Sequence, residues 1–323
     1  MTRQIEAVLP YWLDRPDEEA LEVASAASDA GLPAVWIGEM ASFDAFALAT
    51  AIGQRTPGLR LKIGPLAIGV RSPVAIALAA SSVASLTGSE VDIALGASSP
   101  LIVSGWHDRE WAHSATRMRE TLAALRPILA GEPANFDGDY VKTHGFRLRR
   151  PLPEAEIAVA AFGPAMTRVA ARHADAVVLN LVAPQHVAAV RATIDAHAAG
   201  AGRTPPRLAA WVPVALDPGE QARTQLAAQL AIYLAPPGYG EMFAALGFAE
   251  LVERARSGAR RAELARGIPF ELLEQVGAVG SEQAVAARIA AYFDAGADVV
   301  AVVPSTAEDP GGRGVLSAVA GMS

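Results

Sequence analysis

The chain of 323 residues contains no cysteine. Disulfides, thiolate metal sites, iron–sulfur clusters and cysteine nucleophiles are therefore all excluded. Basic residues are the minority charge, with 27 Lys and Arg against 34 Asp and Glu, for a net charge of −7. A nucleic-acid reader needs a basic stripe. The isolated pairs Arg149-Arg150 and Arg260-Arg261 read instead as solvated faces. No apolar run is long enough to cross a bilayer, since the nearest, from Leu66 to Ala80, is broken by Arg71 and Pro73. Met1-Thr2-Arg3-Gln4-Ile5-Glu6 forms no apolar signal core, so a cytoplasmic location is expected. No two histidines share the i, i+4 spacing of a helical zinc site, and no metal is expected.

What the chain has is apolar surface, 52% of its residues, enough for a large core. It comes as short continuous runs: Ile5–Trp12, Ala34–Gly38, Arg60–Ala67, Val91–Gly96, Glu156–Ala161, Ala176–Leu181, Ala209–Leu216 and Asp298–Val303. Continuous runs, unlike alternating ones, suit parallel strands buried on both faces. Helical periods separate them. The first helix is expected from near Asp14 and Pro16, with Asp17, Glu18 and Glu19 in its first turn and Gly31 as its stop. Ile76, Ala79, Ala80 and Val83 share a face in the third; Met118, Leu122 and Leu125 do so in the fourth, and Val285, Ile289 and Phe293 in the last. Asp29-Ala30-Gly31 and Asp294-Ala295-Gly296 repeat one helix-stop device before a strand.

Eight strand–helix alternations predict an α/β protein with a (β/α)8 TIM barrel, a single domain over residues 1–323. An open doubly wound sheet shares the pattern. Insertions follow the fourth and seventh strands. Asn135 to Arg150, with Asp137-Gly138-Asp139 at its centre, predicts a hairpin. Residues 235–280 predict two or three helical pieces near the active-site mouth, bringing Tyr239, Met242 and Phe243 to its rim.

Barrel enzymes work at the C-terminal ends of their strands. That selects Tyr11 and Trp12, Glu39 and Met40, Leu66 and Ala67, Ala97 to Ser99, Phe162 and Gly163, Asn180, Pro213, Pro304 and Ser305. The set is mostly apolar and aromatic, which suits a flat cofactor better than a hydrolytic triad. Ser98 follows Gly96-Ala97 without the glycine-flanked pattern of a nucleophile elbow. Gly163-Pro164-Ala165-Met166 opens a helix whose first N–H groups face any anion placed there, and an ordinary strand-to-helix turn has the same sequence. Gly311-Gly312-Arg313-Gly314 is a second anion candidate, read first as loop punctuation. His107, between Trp106 and Asp108, is a candidate acid or substrate contact, or a surface histidine. Glu39 is a candidate proton relay, or the partner of an arginine.

Four segments carry a family resemblance. Val35-Trp36-Ile37-Gly38-Glu39 resembles the second strand of luciferase-like monooxygenase-fold proteins. Ile63-Gly64-Pro65-Leu66-Ala67 with Arg71-Ser72-Pro73 resembles their third strand and its loop. Ala94-Leu95-Gly96-Ala97-Ser98 with Gly105-Trp106-His107 is similar to the fourth. Ala160-Ala161-Phe162-Gly163-Pro164-Ala165-Met166 resembles the cofactor-phosphate turn of the branch that uses the deazaflavin coenzyme F420. The similarity runs in order from about residue 5 to residue 305.

The resemblance implies F420 as cofactor, with FMN as the alternative. It implies a ring site at Leu66, Ala67, Ala97 and Ser98 and a phosphate site at Ala161, Phe162, Gly163, Pro164, Ala165 and Met166. Glu39 and His107 fall in catalytic positions; Tyr11, Trp12, Met40, Trp106 and Asn180 fall against substrate. It also implies a cis peptide between Leu66 and Ala67, within a bulge. Family members that oxidise alcohols or sugar phosphates carry a histidine where this chain has Met40, and a glutamate where it has Ser99. Their loss leans the expected hydride transfer toward reduction of a small organic substrate. An FMN-dependent monooxygenase and a barrel that binds ligand without turnover are the other readings. A homodimer is the expected assembly, with no nucleic-acid or membrane partner.

Overall fold

The computed structural model describes residues 3–39 and 41–322. Its strands are β1 (Gln4–Val8), β2 (Ala34–Ile37), β3 (Arg60–Ala67), β4 (Val91–Gly96), β5 (Ala134–Asp137), β6 (Lys142–Phe146), β7 (Ile157–Ala160), β8 (Ala176–Asn180), β9 (Arg207–Leu216), β10 (Ala278–Gly280) and β11 (Val299–Pro304). They are ordered β10-β9-β11-β1-β2-β3-β4-β7-β8, and β9 also pairs with β8. Eight of them thus close a parallel (β/α)8 TIM barrel, the expected fold. All eight expected strands are present. The first ends at Val8 and not at Trp12, because Pro10 has no N–H to give a ladder. The helices are α1 (Glu19–Asp29), α2 (Ala45–Arg55), α3 (Pro73–Thr87), α4 (Ser114–Leu129), α5 (Pro164–His173), α6 (Pro184–Ala199), α7 (Glu220–Tyr233), α8 (Tyr239–Phe243), α9 (Ala249–Arg256), α10 (Arg261–Gly267), α11 (Phe270–Val276), α12 (Glu282–Asp294) and α13 (Arg313–Ala320).

The chain divides into two compact units. The central unit comprises residues 33–178 and 192–207. In it β2, β3, β4, β7 and β8 run parallel in succession. Their apolar side chains are buried on both faces, as in β4, where every residue is buried. The third helix forms as expected. Ser72 Oγ accepts the Ala75 N–H at 3.2 Å, Pro73 fits the first turn, and Gly88 closes the helix at φ 74°. The predicted hairpin is β5 and β6, paired antiparallel. Its turn is held from α4 by buried Glu120, which accepts the N–H groups of Asp139 (3.2 Å), Tyr140 (2.8 Å) and Val141 (3.1 Å).

The terminal unit comprises residues 1–32, 179–191 and 208–323. Both helix stops read from the sequence are real: Gly31 at φ 76° ends α1, and Gly296 at φ 99° follows α12. The long insertion contains four short α-helices, α8 to α11, with a π-helical stretch at Ala244–Phe248, more pieces than expected. Its last residues form β10, which the apolar pattern did not reveal. β10 pairs with the C-terminal end of β9, Ala278 opposite Val214 and Gly280 opposite Leu216.

One buried carboxylate organises the loop after β11. Glu19 accepts from Arg15 Nη2 (2.6 Å), Thr306 Oγ1 (2.7 Å) and the Gly311 N–H (3.2 Å). Burial alone pushes its pKa up, but the bonds from Arg15, Thr306 and Gly311 prevail and hold the carboxyl below its ordinary value. A carboxylate more acidic folded than unfolded contributes its full stability above the ordinary glutamate range. That contribution is lost as pH falls through its own lower pKa. Denaturant titrations from about pH 6 to about pH 3 should therefore show a steeper acid loss in the native chain than in Glu19→Gln. The variant should also be weaker near neutrality by about 1–3 kcal/mol. Equal acid slopes would assign the titration to other groups.

Candidate active site

In the central unit, β3, β4 and β7 lie side by side, and their C-terminal ends meet. Ala67 is opposite Gly96, and Leu95 is opposite Val159. A Cβ on Gly96 would stand 3.1 Å from Pro65 Cβ and 3.9 Å from Ala160 Cβ, so three strand ends touch there. Leu66 and Ala161 are buried; Ala67, Ala97 and Phe162 are half-buried, and Ser98 is exposed. These side chains form an uncharged shelf. Ser98, at φ 59°, holds a left-handed conformation that costs a residue with a Cβ and that clusters at ligand sites.

The shelf depends on a bulge in β3. Its register against β4 shifts between Ile63 and Leu66. Gly64, at φ 123°, lies so close to the Ala94 carbonyl that no Cβ fits between them. The cis bond expected between Leu66 and Ala67 is not there. The cis bond among the described residues joins Gly64 to Pro65, where the tertiary amide of proline narrows the preference for trans. The expected bulge is present, two residues earlier in its cis bond than the resemblance implied.

The turn after β7 has the expected form. Gly163 caps α5 and Pro164 occupies its first turn, with no side-chain bond at the cap. The first intrahelical bond runs from the Thr167 N–H to the Gly163 carbonyl at 2.9 Å, so the preceding N–H groups lack helical partners. Gly163, Pro164 and Ala165 are exposed, Met166 is half-buried, and nothing lies within 4 Å of where a Gly163 Cβ would stand. An open backbone turn beside a flat apolar shelf fits a ring that carries a phosphate.

Glu39, after β2, pairs with Arg71 from the loop after β3, and Arg71 also binds Asp44. Sequence reading placed both residues in family motifs without joining them. The Glu39 hydrogen bond holds the Arg71 guanidinium above its ordinary range, and Arg71 also lies 5.3 Å over the Phe46 ring. Glu39 further accepts the Ala45 N–H at 3.3 Å. His107 and Trp106 end a π-helical stretch (Leu101–Trp106) and are both exposed. Trp111 donates its indole N–H to the Ala97 carbonyl at 3.1 Å, tying that loop to the shelf. Met40 lies outside the described residues.

In the terminal unit, Tyr11 is half-buried, and buried Trp12 donates its indole N–H to the Pro304 carbonyl at 3.0 Å. Asn180 ends β8 and hydrogen-bonds to both Tyr233 and Tyr239. Tyr233 escaped the sequence reading. Its signal was the polar stripe Gln225, Gln229, Tyr233 along α7, spaced one turn apart. The second anion candidate is satisfied internally. The Gly311 N–H goes to Glu19, and the Gly314 and Val315 N–H groups go to Asp309 at 3.0 and 2.9 Å. Among the described residues, no group of three or more His, Asp or Glu could hold a metal ion.

The family model for luciferase-like monooxygenases matches residues 12–299. The chain is an enzyme of the luciferase-like monooxygenase family. A Mycobacterium tuberculosis protein named for coenzyme F420-dependent oxidoreduction is 26% identical over 332 residues, covering 93% of this chain and 94% of that one. The fold matches the coenzyme F420-dependent tetrahydromethanopterin reductase of Methanopyrus kandleri with TM-score 0.80 and 19% identity, across 99% of this chain and 97% of that one. The oxygenating constituent of 3,6-diketocamphane monooxygenase from Pseudomonas putida, solved with FMN, matches with TM-score 0.69 and 17% identity, across 99% and 97%.

Two glycines of this family member should respond differently to substitution. Gly64→Ala adds a Cβ against the Ala94 carbonyl at positive φ and should cost about 2–4 kcal/mol of stability. Gly163→Val adds its side chain to open space and should leave the melting temperature nearly unchanged while weakening cofactor binding at least about tenfold. Normal cofactor affinity in a folded Gly163→Val would place the phosphate elsewhere.

Proposed function

We propose that this enzyme is a coenzyme F420-dependent oxidoreductase acting on a small organic substrate, leaning toward reduction. The observation that carries this reading is the uncharged shelf at the ends of β3 and β4 beside the open turn after β7, all within one unit. Leu66, Ala67, Ala97 and Ser98 would hold the ring. Ala161 to Met166 would hold the phosphate on backbone N–H groups. When bound, the deazaflavin supplies hydride transfer at its C5. The chain's own residues orient substrate and exclude water.

Glu39, fixed by Arg71, would accept a hydrogen bond or relay a proton, and His107 would serve as the second catalytic group. Tyr11, Trp12, Met40, Trp106 and Asn180 would contact substrate. Met40 and Ser99 bear no group that takes a hydroxyl proton at neutral pH, which supports reduction over alcohol oxidation. We read residues 1–323 as one domain, with the 235–280 insertion at the active-site mouth. Tyr239 of the insertion reaches Asn180 at the C-terminal end of β8, and β10 extends the C-terminal end of β9. A cytoplasmic location belongs to the same reading.

The FMN-bound relative supports a second reading, an FMN-dependent monooxygenase, and binding without turnover is the third. Fluorescence titration of the apo protein with F420 and with FMN separates them, followed by turnover assays with oxygen and with organic acceptors. F420 should bind and exchange hydride without oxygen. Tight FMN binding with no F420 binding would sink the first reading, and F420 binding without turnover would favour the third.

The proposed homodimer draws support from Leu78 and Leu86, exposed 53% and 66% on α3, a helix with no charged residue. Sedimentation equilibrium should return twice the chain mass. A monomer at about 10 μM would remove the dimer, because obligate interfaces hold far below that concentration.

A further inference from the structure

The polar groups at the end of β8 carry one inference beyond this reading. Asn180 is the last residue of β8, and the next residue, buried Leu181, turns the chain at φ 53°. The Asn180 side chain hydrogen-bonds to Tyr233, at the end of α7, and to Tyr239, at the start of α8. The two tyrosine rings lie 4.9 Å apart, tilted by 54°, and Phe243 continues the row 6.3 Å beyond Tyr239. Both tyrosines and Asn180 keep part of their surface open. Leu181, the residue after Asn180, also walls an apolar cavity with Pro213, Leu226, Leu230, Leu273 and Val276.

This cluster is neutral. Burial pushes the Tyr233 hydroxyl above its ordinary range, and the Asn180 side chain pulls it part of the way back. Burial pushes the Tyr239 hydroxyl up further. Both remain protonated donors across the physiological range. Hydrogen-bond counting then decides what the cluster offers. The amide has two N–H donors and one carbonyl acceptor, and each hydroxyl has one donor. Whichever way the amide is turned, its bonds to the two hydroxyls leave at least one N–H or O–H of Asn180 or Tyr233 unspent. Unspent donors in an apolar, uncharged setting select an acceptor that carries no full charge, because an anion would be buried without a counter-charge.

We propose that Asn180 and Tyr233 form a hydrogen-donating subsite for the carbonyl oxygen of a neutral small molecule, with Tyr239 bracing the amide. The proposal deepens the oxidoreductase reading and rests on its placement of substrate at the strand ends. The subsite takes a ketone, enone, lactone or amide, and rejects a carboxylate or phosphate ester of the same size. Tyr239, which acts through the Asn180 amide, is a positioning residue.

The test uses the full chain, with and without F420, and cyclohex-2-enone carrying a ¹³C carbonyl as the probe. Isotope-edited infrared spectra should show the bound carbonyl stretch moved to lower frequency, as donation of a hydrogen bond requires. Tyr233→Phe keeps the ring and should remove most of that shift while weakening binding about three- to tenfold. Asn180→Ala should do the same independently. Cyclohexanecarboxylate should bind at least about tenfold more weakly than the enone. The subsite is overturned if the enone does not bind, if it binds without a carbonyl shift, if the shift survives in both variants, or if the carboxylate binds better. F420 binding is followed separately by its fluorescence. A chain that binds F420 but shows no shift refutes the subsite alone, and a chain that shows the shift but not F420 binding refutes the cofactor reading alone.

Discussion

The close approach of Gly64 to the Ala94 carbonyl sets the layout of the central unit. Parallel strands of regular register would carry their side chains up to the barrel rim. Here β3 meets β4 through bare main chain, and the register shifts between Ile63 and Leu66. The shift leaves Leu66 opposite Leu95 and Ala67 opposite Gly96, so the strand ends finish level and without long side chains. Ser98 then turns into the left-handed region immediately beyond. A ligand with a broad flat face requires such a surface, and side chains cannot provide it where backbones are held a side chain's width apart.

In each unit, taken by itself, several carboxylates are committed to structure. Glu39 and Asp44 share Arg71. In the terminal unit Glu308 accepts the Gly219 and Gln221 N–H groups at 2.7 and 3.1 Å and so starts α7. Asp309 does the same for α13 through Gly314 and Val315. Acids that cap helices are poor proton carriers, because protonation forfeits a charge-assisted bond. In the terminal unit Asn180, Tyr233 and Tyr239 form a neutral cluster instead.

Periodicity made the eight barrel strands legible, since a strand buried on both faces has to be apolar along its length. Turn chemistry made Gly31, Gly296 and Gly163 legible. β10 was not, because three residues, the last of them a glycine, carry no periodic signal. The insertion was read as helical but too coarsely, for helices of five to eight residues exist through tertiary packing and not through their own propensity. The bulge in β3 was foreseen, but its cis bond was assigned to Leu66–Ala67 and lies at Gly64–Pro65. Pairings over long separations were beyond sequence reasoning. Glu39 meets Arg71 from another loop, and Asn180 meets Tyr233 from another element. Only the fold decides which of many arginines and tyrosines arrives.

The loop after β11 is, in effect, a receptor delivered with its ligand attached. Its Gly311 N–H is occupied by the Glu19 carboxylate, which the chain carries on α1 and which Arg15 and Thr306 hold in place. A dissolved phosphate or sulfate would have to displace a competitor that cannot diffuse away, and would lose on entropy alone. The enzyme is thereby made indifferent, at this loop, to the anions of its surroundings. The turn after β7 differs in this respect, since no side chain bonds the cap of α5.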